Sequence, residues 1–212
     1  MNIEHILPQD IEKRSFEIIG SELDAMGIRL PEDKAFLIKR AIHTTADFEF
    51  ARTLWFSDHA IETAEELLRN GADIVTDTNM TLSGINKPAF NLFGGEAHCY
   101  MAQPDVAEEA KARGITRASV SMERAAALGK PVIFAIGNAP TALITLRELF
   151  DRDEYHPDFV IGVPVGFVNV EYAKELIVES RLPCIVNRGR KGGSNVAAAI
   201  CNALLYDLRS KL

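Results

Sequence analysis

Residues 131–150 read "PVIFAIGNAPTALITLRELF", and the way this stretch divides decides the fold. Val132 to Ile136 is an unbroken apolar run, too short for a helix and with no polar alternation, so it predicts a strand buried on both faces. Gly137, Asn138 and Pro140 break the run, and residues 141–150 return to helical spacing. A doubly buried strand followed at once by a helix is the unit from which parallel sheets are built.

The same unit recurs outward in both directions. "DIVTD" (73–77), "AHCYM" (97–101), "FVIGVPV" (159–165) and "PCIVNRG" (183–189) are further apolar runs, with helical segments at 170–180 and 194–209 after the last two. Toward the N-terminus, Ile11, Ile18, Ile19, Leu23 and Met26 share helical spacing until Gly27 stops them. A second helix is predicted from Pro31 toward His43. A third, capped by Ser57, carries Ile61, Ala64, Leu67 and Leu68 on one face and ends at Asn70 and Gly71. Residues 104–113 form the clearest helix: Pro104 opens it, Asp105, Glu108 and Glu109 lie early, Lys111 and Arg113 late, and Gly114 follows, so its charges complement the dipole at both ends. No long linker, repeat or low-complexity tract intervenes. The sequence therefore predicts one α/β domain over residues 1–212, a three-layer α/β/α architecture with a mainly parallel central sheet of about five strands.

Composition narrows the partners. The chain has 212 residues, 47% hydrophobic and 25% charged, enough to bury one sizeable core. Its formal net charge of -7 argues against nucleic acid or an anionic membrane as the main partner, since both reward a basic face. Cys99, Cys184 and Cys201 are odd in number and lack metal or disulfide-scaffold spacing, so they read as reduced packing thiols of a cytosolic protein. The opening "MNIEHILPQDIEKRSF" lacks the apolar core of a signal peptide, and no later run reaches membrane-spanning length. Ser210, Lys211 and Leu212 match a peroxisomal address, but three residues at the end of a charged helix match it readily by chance.

In an open parallel sheet, ligands bind beyond the carboxyl ends of the strands. Here those positions carry "TDTNM" (76–80), "GNAPT" (137–141), "GVPVGFVN" (162–169) and "NRGRKGGSN" (187–195). Glycines let backbone approach a ligand closely, and asparagines and threonines supply neutral hydrogen bonds. "NRGRKGGSN" sets Arg188, Arg190 and Lys191 ahead of a helix that Ser194 can cap, an anion clamp by composition in an otherwise acidic chain. It does not fit G-x-x-x-x-G-K-[ST], and no G-x-G-x-x-G follows a predicted strand, so carboxylate is a better anion than nucleotide phosphate. Arginine's planar fork suits a ligand with many carboxylates.

His43, in "AIHTTADFEFA" (41–51), is the candidate acid or base, because an unperturbed imidazole titrates near ~6.5. Asp47 and Glu49 are placed either to orient it or to hold nearby backbone. His43 and Asp47 at i, i+4 lack a third ligand of suitable spacing, so no protein metal site is predicted. His5, His59, His98 and His156 lack comparable surroundings, and no serine or cysteine sits in a nucleophile motif.

"RSFEII" (14–19), "IHTTADFEFA" (42–51), "IVTDTNM" (74–80), "GITRA" (114–118), "AIGNAPTAL" (135–143), "IGVPVGFVNV" (161–170) and "NRGRKGGSNVAAAICNALL" (187–205) together resemble the precorrin-8X methylmutase family of corrin-ring biosynthesis, in order and over nearly the whole chain. The resemblance implies an isomerase that moves a methyl group between neighbouring carbons of ring C of a precorrin, giving cobyrinate or hydrogenobyrinate. It implies a three-layer homodimer with the tetrapyrrole bound near the subunit interface, no redox cofactor, and the histidine matching His43 as catalytic acid. Arg188, Arg190, Lys191 and Arg117 would then grip the acetate and propionate groups, with Asn79, Asn138 and Ser194 adding hydrogen bonds. "HTTADFEFA" looks more like the cobalt-using branch, in which cobalt is carried by the substrate, although Gln103 stands where an acid is expected in that branch. A non-catalytic corrinoid carrier would use the same clamp without needing an acid.

Overall fold

The computed structural model describes residues 4–212; Met1 to Ile3, where the N-terminal reading begins, lie outside the described residues. Its helices are α1 (Ile11–Ala25), α2 (Ala35–Thr45), α3 (Phe50–Thr53), α4 (Ala60–Arg69), α5 (Asn79–Gly84), α6 (Lys87–Phe90), α7 (Pro104–Arg113), α8 (Arg117–Ala126), α9 (Pro140–Asp151), α10 (Val170–Glu179) and α11 (Ser194–Ser210). Its strands are β1 (Leu54–Phe56), β2 (Asp73–Thr76), β3 (Ala97–His98), β4 (Val132–Ile136), β5 (Phe159–Gly162) and β6 (Cys184–Asn187). One sheet takes all six in the order β1-β6-β5-β4-β2-β3.

The alternation of side chains along each strand explains the layers. In β4, Ile133 and Ala135 enter a core shared with α1, α2, α4 and α11, whereas Val132, Phe134 and Ile136 enter the opposite core, with α8, α9 and α10. Both sets are apolar because both faces are covered. β2 through β6 pair in parallel, as the buried runs predict. The chain steps outward from β2 to β3, returns to β4, and then proceeds the other way through β5 to β6. The order therefore reverses between β2 and β4, where α/β sheets open their ligand crevice.

Three local expectations need correction. The sheet has six strands rather than about five: Leu54–Phe56 pairs antiparallel with β6, and a three-residue strand carries no periodicity for sequence reasoning to detect. Ser57 does not cap α4. Its amide and hydroxyl extend that ladder to Cys184, at 3.0 and 2.9 Å, and His59, with a left-handed backbone, precedes the helix. The second helix starts at Ala35 rather than Pro31, whose carbonyl closes a turn with the Lys34 amide at 3.1 Å. The helix at 104–113 forms as read, with Gly114 left-handed beyond its end.

Candidate active site

At the reversal point the buried Asp77 leaves the end of β2 and turns its carboxylate toward the start of α9. It accepts the amides of Gly137 at 2.9 Å, Asn138 at 2.7 Å and Ala139 at 2.5 Å. The protein's own carboxylate thus occupies the anion position that this helix start would otherwise offer. Burial pushes the Asp77 carboxyl above its ordinary range, against the pull of those amides. Beside it, Ser194 is buried, its hydroxyl 2.8 Å from Thr78 Oγ1, and Thr78 in turn accepts the Thr81 amide at the start of α5. Ser194 does not cap α11: Gly193 holds the N-cap position, and Ser194 is the first helical residue. Its hydroxyl pins α11 to α5.

The glycines have a different use from the one expected. A Cβ on Gly137 would lie 2.6 Å from Ser194 Cα, and one on Gly192 would lie 2.0 Å from the Val163 carbonyl oxygen. They let backbone approach backbone, bringing the loops after β4, β5 and β6 together. Asn79 and Asn138 remain exposed on this edge.

Each cation of the basic loop already has an anion. Arg188 pairs with Glu175, its Nε 2.9 Å from Oε1; Arg190 Nε lies 2.6 Å from Glu171; and Lys191 Nζ reaches Asp47 at 2.6 Å and Glu49 at 2.9 Å. Arg188 holds the Glu175 carboxyl below its ordinary range, and Lys191 does the same for Asp47. Beneath the loop, the fully buried Lys174 donates to the carbonyls of Gly189 and Lys191 at 2.7 and 2.8 Å. The buried Asn187 side chain donates to the same Lys191 carbonyl at 2.8 Å and accepts from Thr53 Oγ1 at 2.7 Å.

His43 lies in the last turn of α2, exposed, with its ring edge-on to Phe16 at 5.5 Å between centroids. None of the described residues hydrogen-bonds the ring. Asp47 does not orient it: that carboxylate accepts the Glu49 amide at 3.0 Å and the Lys191 ammonium, the backbone-holding alternative. Arg117 does not pair with the basic loop's partners: at the start of α8, in the layer shared with α9 and α10, it donates to the Met101 carbonyl at 3.2 Å. Thr116 beside it meets Thr141 of α9 at 2.9 Å. Gln103, where an acid was expected, accepts from Arg124 at 2.5 Å.

Four features escaped sequence reasoning. Lys174 read as an ordinary helix residue and Asn187 as part of a ligand-facing stretch, neither as a support for the loop, although Glu171, Lys174 and Glu175 at i, i+3 and i+4 were a signal that one helix face answers the basic loop. Phe167 and Val168 protrude after β5, 83% and 77% exposed, with the Arg190 guanidinium 5.6 Å from the Phe167 ring centre. His98 has a partner after all: its Nε2 lies 2.9 Å from the buried Asp73, which also binds Lys130 at 2.7 Å, at the start of β2 and away from the crevice.

Among the described residues no three His, Cys, Asp or Glu side chains gather as a metal site requires, and no helix is long and apolar enough to cross a membrane. The edge is thus an open, polar and partly aromatic bed with one exposed imidazole. The family model for precorrin-8X methylmutase matches residues 10–207. The chain belongs to the precorrin-8X methylmutase family. It is therefore an isomerase of cobalamin biosynthesis. It is 46% identical to the cobalt-precorrin-8 methylmutase of Salmonella typhimurium over 209 residues, covering 95% of this chain and 96% of the relative. It is 42% identical to that of Priestia megaterium, covering 94% and 88%. The solved precorrin-8x methyl mutase from Thermus thermophilus superposes with a TM-score of 0.87 at 37% identity, covering 96% and 97% of the two chains. This mainly parallel α/β fold is the one the sequence predicts.

Proposed function

We propose that this methylmutase acts on cobalt-precorrin-8, moving a methyl group to the neighbouring carbon of ring C to give cobyrinate, with His43 as the proton donor. The observation that carries the reading is the exposed imidazole of His43, which no described residue hydrogen-bonds, in a segment joined to the basic loop through Lys191. A methyl shift along a conjugated ring needs no nucleophile and no redox step. It needs a held substrate and a proton delivered to the macrocycle so that migration is favoured. The nitrogen of a protonated imidazole donates, the methyl carbon moves with its bonding pair, and the proton is returned as the conjugated product forms.

In this reading Arg188, Arg190 and Lys191 exchange their glutamate and aspartate partners for substrate carboxylates, Arg117 takes a carboxylate on the far side, and Asn79 and Asn138 hydrogen-bond the periphery. Phe167 offers an apolar face to the flat ring. Ser194 supports the site from beneath instead of touching the ligand. Cobalt arrives as part of the substrate, and the protein supplies no cofactor of its own. The 212 residues act as one domain in a cytosolic homodimer, the second copy covering the macrocycle; the open setting of His43 and Phe167 on a single chain supports this arrangement.

Replacing His43 with alanine tests the reading. Turnover should fall by about 10²–10⁴, or roughly 3–5 kcal/mol, while cobyrinate binds as before. Unchanged turnover removes His43 from the reaction. Spectroscopic titration with metal-free and cobalt-loaded precursors decides the branch, and tighter uptake of the metal-free ring would reverse that assignment.

A further inference from the structure

Lys174 is a fully buried ammonium that meets no carboxylate among the described residues. The two acids nearest to it on α10, Glu171 and Glu175, are turned outward to Arg190 and Arg188. From α9, the Arg147 guanidinium is committed to Asp151 and the Leu176 carbonyl, and the Lys191 ammonium points to Asp47 and Glu49. What Lys174 binds is main chain: the carbonyls of Gly189 and Lys191, on either side of Arg190. A lysine is costly to bury, and a methionine of similar length would fill the same space without that cost, so the donors themselves are what the position requires.

The two kinds of contact to the loop differ in one respect. A ligand carboxylate can replace Glu175 on Arg188 or Glu171 on Arg190, because it is the same chemical group. It does not reach Lys174, whose ammonium is fully buried beneath the loop. Resting on the reading that this loop receives a polycarboxylate, we propose that Lys174 is the positioning residue that keeps residues 188–193 folded while Arg188 and Arg190 change partners from glutamate to substrate. The loop thereby stays shaped for binding when its surface ion pairs are given up.

Two amides report on the loop: Gly166 donates to the Arg190 carbonyl at 3.1 Å, and Gly193 to the Val163 carbonyl at 2.9 Å. Hydrogen exchange at these amides in Lys174→Met should show protection lowered at least about tenfold, while Ile161 and Ile185 in the sheet keep theirs. The same variant should bind cobyrinate at least about tenfold more weakly with turnover at saturation changed less than about threefold, a division between binding and rate that loss of general stability does not produce. In Glu171→Gln/Glu175→Gln, which removes the exchangeable partners and leaves Lys174, the two amides should stay protected within about threefold. Unchanged protection in Lys174→Met, or its loss in the double variant, overturns the proposal; if Lys174→Met does not fold, the double variant decides alone. Failure of the wild-type chain to take up cobyrinate overturns the corrin reading, and the exchange measurements, which need no ligand, still decide the role of Lys174.

Discussion

His43 and the loop from Arg188 to Gly193 are joined through Lys191, yet the two regions are built on opposite terms. The imidazole touches Phe16 and has no hydrogen bond from any described residue, whereas every cation of the loop is already paired and its backbone is held from below by Lys174 and Asn187. Asp77 extends the second pattern into the crevice, where its carboxylate accepts three amides. A group that must give up and recover a proton is kept apart from competing partners. Groups that hold shape are hydrogen-bonded or ion-paired within the protein. If His43 is the proton donor proposed above, the difference separates a residue for chemistry from residues for geometry.

The contrast can be broken most severely at His43. Its replacement by alanine should remove about 10²–10⁴ of the rate and change stability by less than about 0.5 kcal/mol, since its exposed side chain has only an edge contact with Phe16 to lose. Denaturation showing a loss of several kcal/mol would place it among the structural residues instead.

Asp77→Ala should do the reverse. It strands three amides in a buried crevice, and urea unfolding should register a loss of about 3 kcal/mol. An unaffected midpoint would mean that water takes over those amides and that the crevice is wetter than its packing implies.

Lys174 sharpens the comparison through pH. Burial lowers its ammonium to about 8 in the folded chain, while in the unfolded chain it keeps an ordinary value near ~10.4. Between those values the unfolded state binds more protons, so stability from this group rises with pH through that window and is lowest below it. The stability of wild type minus that of Lys174→Met should therefore increase by about 1–3 kcal/mol between about pH 7.5 and pH 10. A flat difference would show that the amine is solvated.

The smallest effect belongs to the surface pairs. Arg190→Met should weaken polycarboxylate binding about tenfold, or about 1.4 kcal/mol, and slow the bound reaction little. An exposed ion pair contributes little to folding, so its loss should leave the unfolding midpoint in place. An unchanged dissociation constant would return Arg190 to the solvated surface.

Much of the architecture was legible because its signals are local. Val132 to Ile136 is apolar at every position, and that pattern forces burial on both faces and hence a parallel sheet between helix layers. Pro104 and Gly114 delimit α7 by backbone chemistry alone. The basic residues and His43 stood out by type. β1 did not, since three residues have no period, and neither did the partners of the loop, which come from α10 and from beyond α2.

The sequence by itself determined the α/β class, the family and the candidate groups, because hydrophobic periodicity and ordered motifs are properties of neighbouring residues. Only the tertiary structure decided which of those groups are engaged and which are left open. Glu171 meets Arg190 across 19 positions, Asp77 meets Gly137 across 60, and Lys191 meets Asp47 across 144. A hydrogen bond or ion pair acts over ångströms of space whatever its separation along the chain, so its partners become known only when the layers have packed.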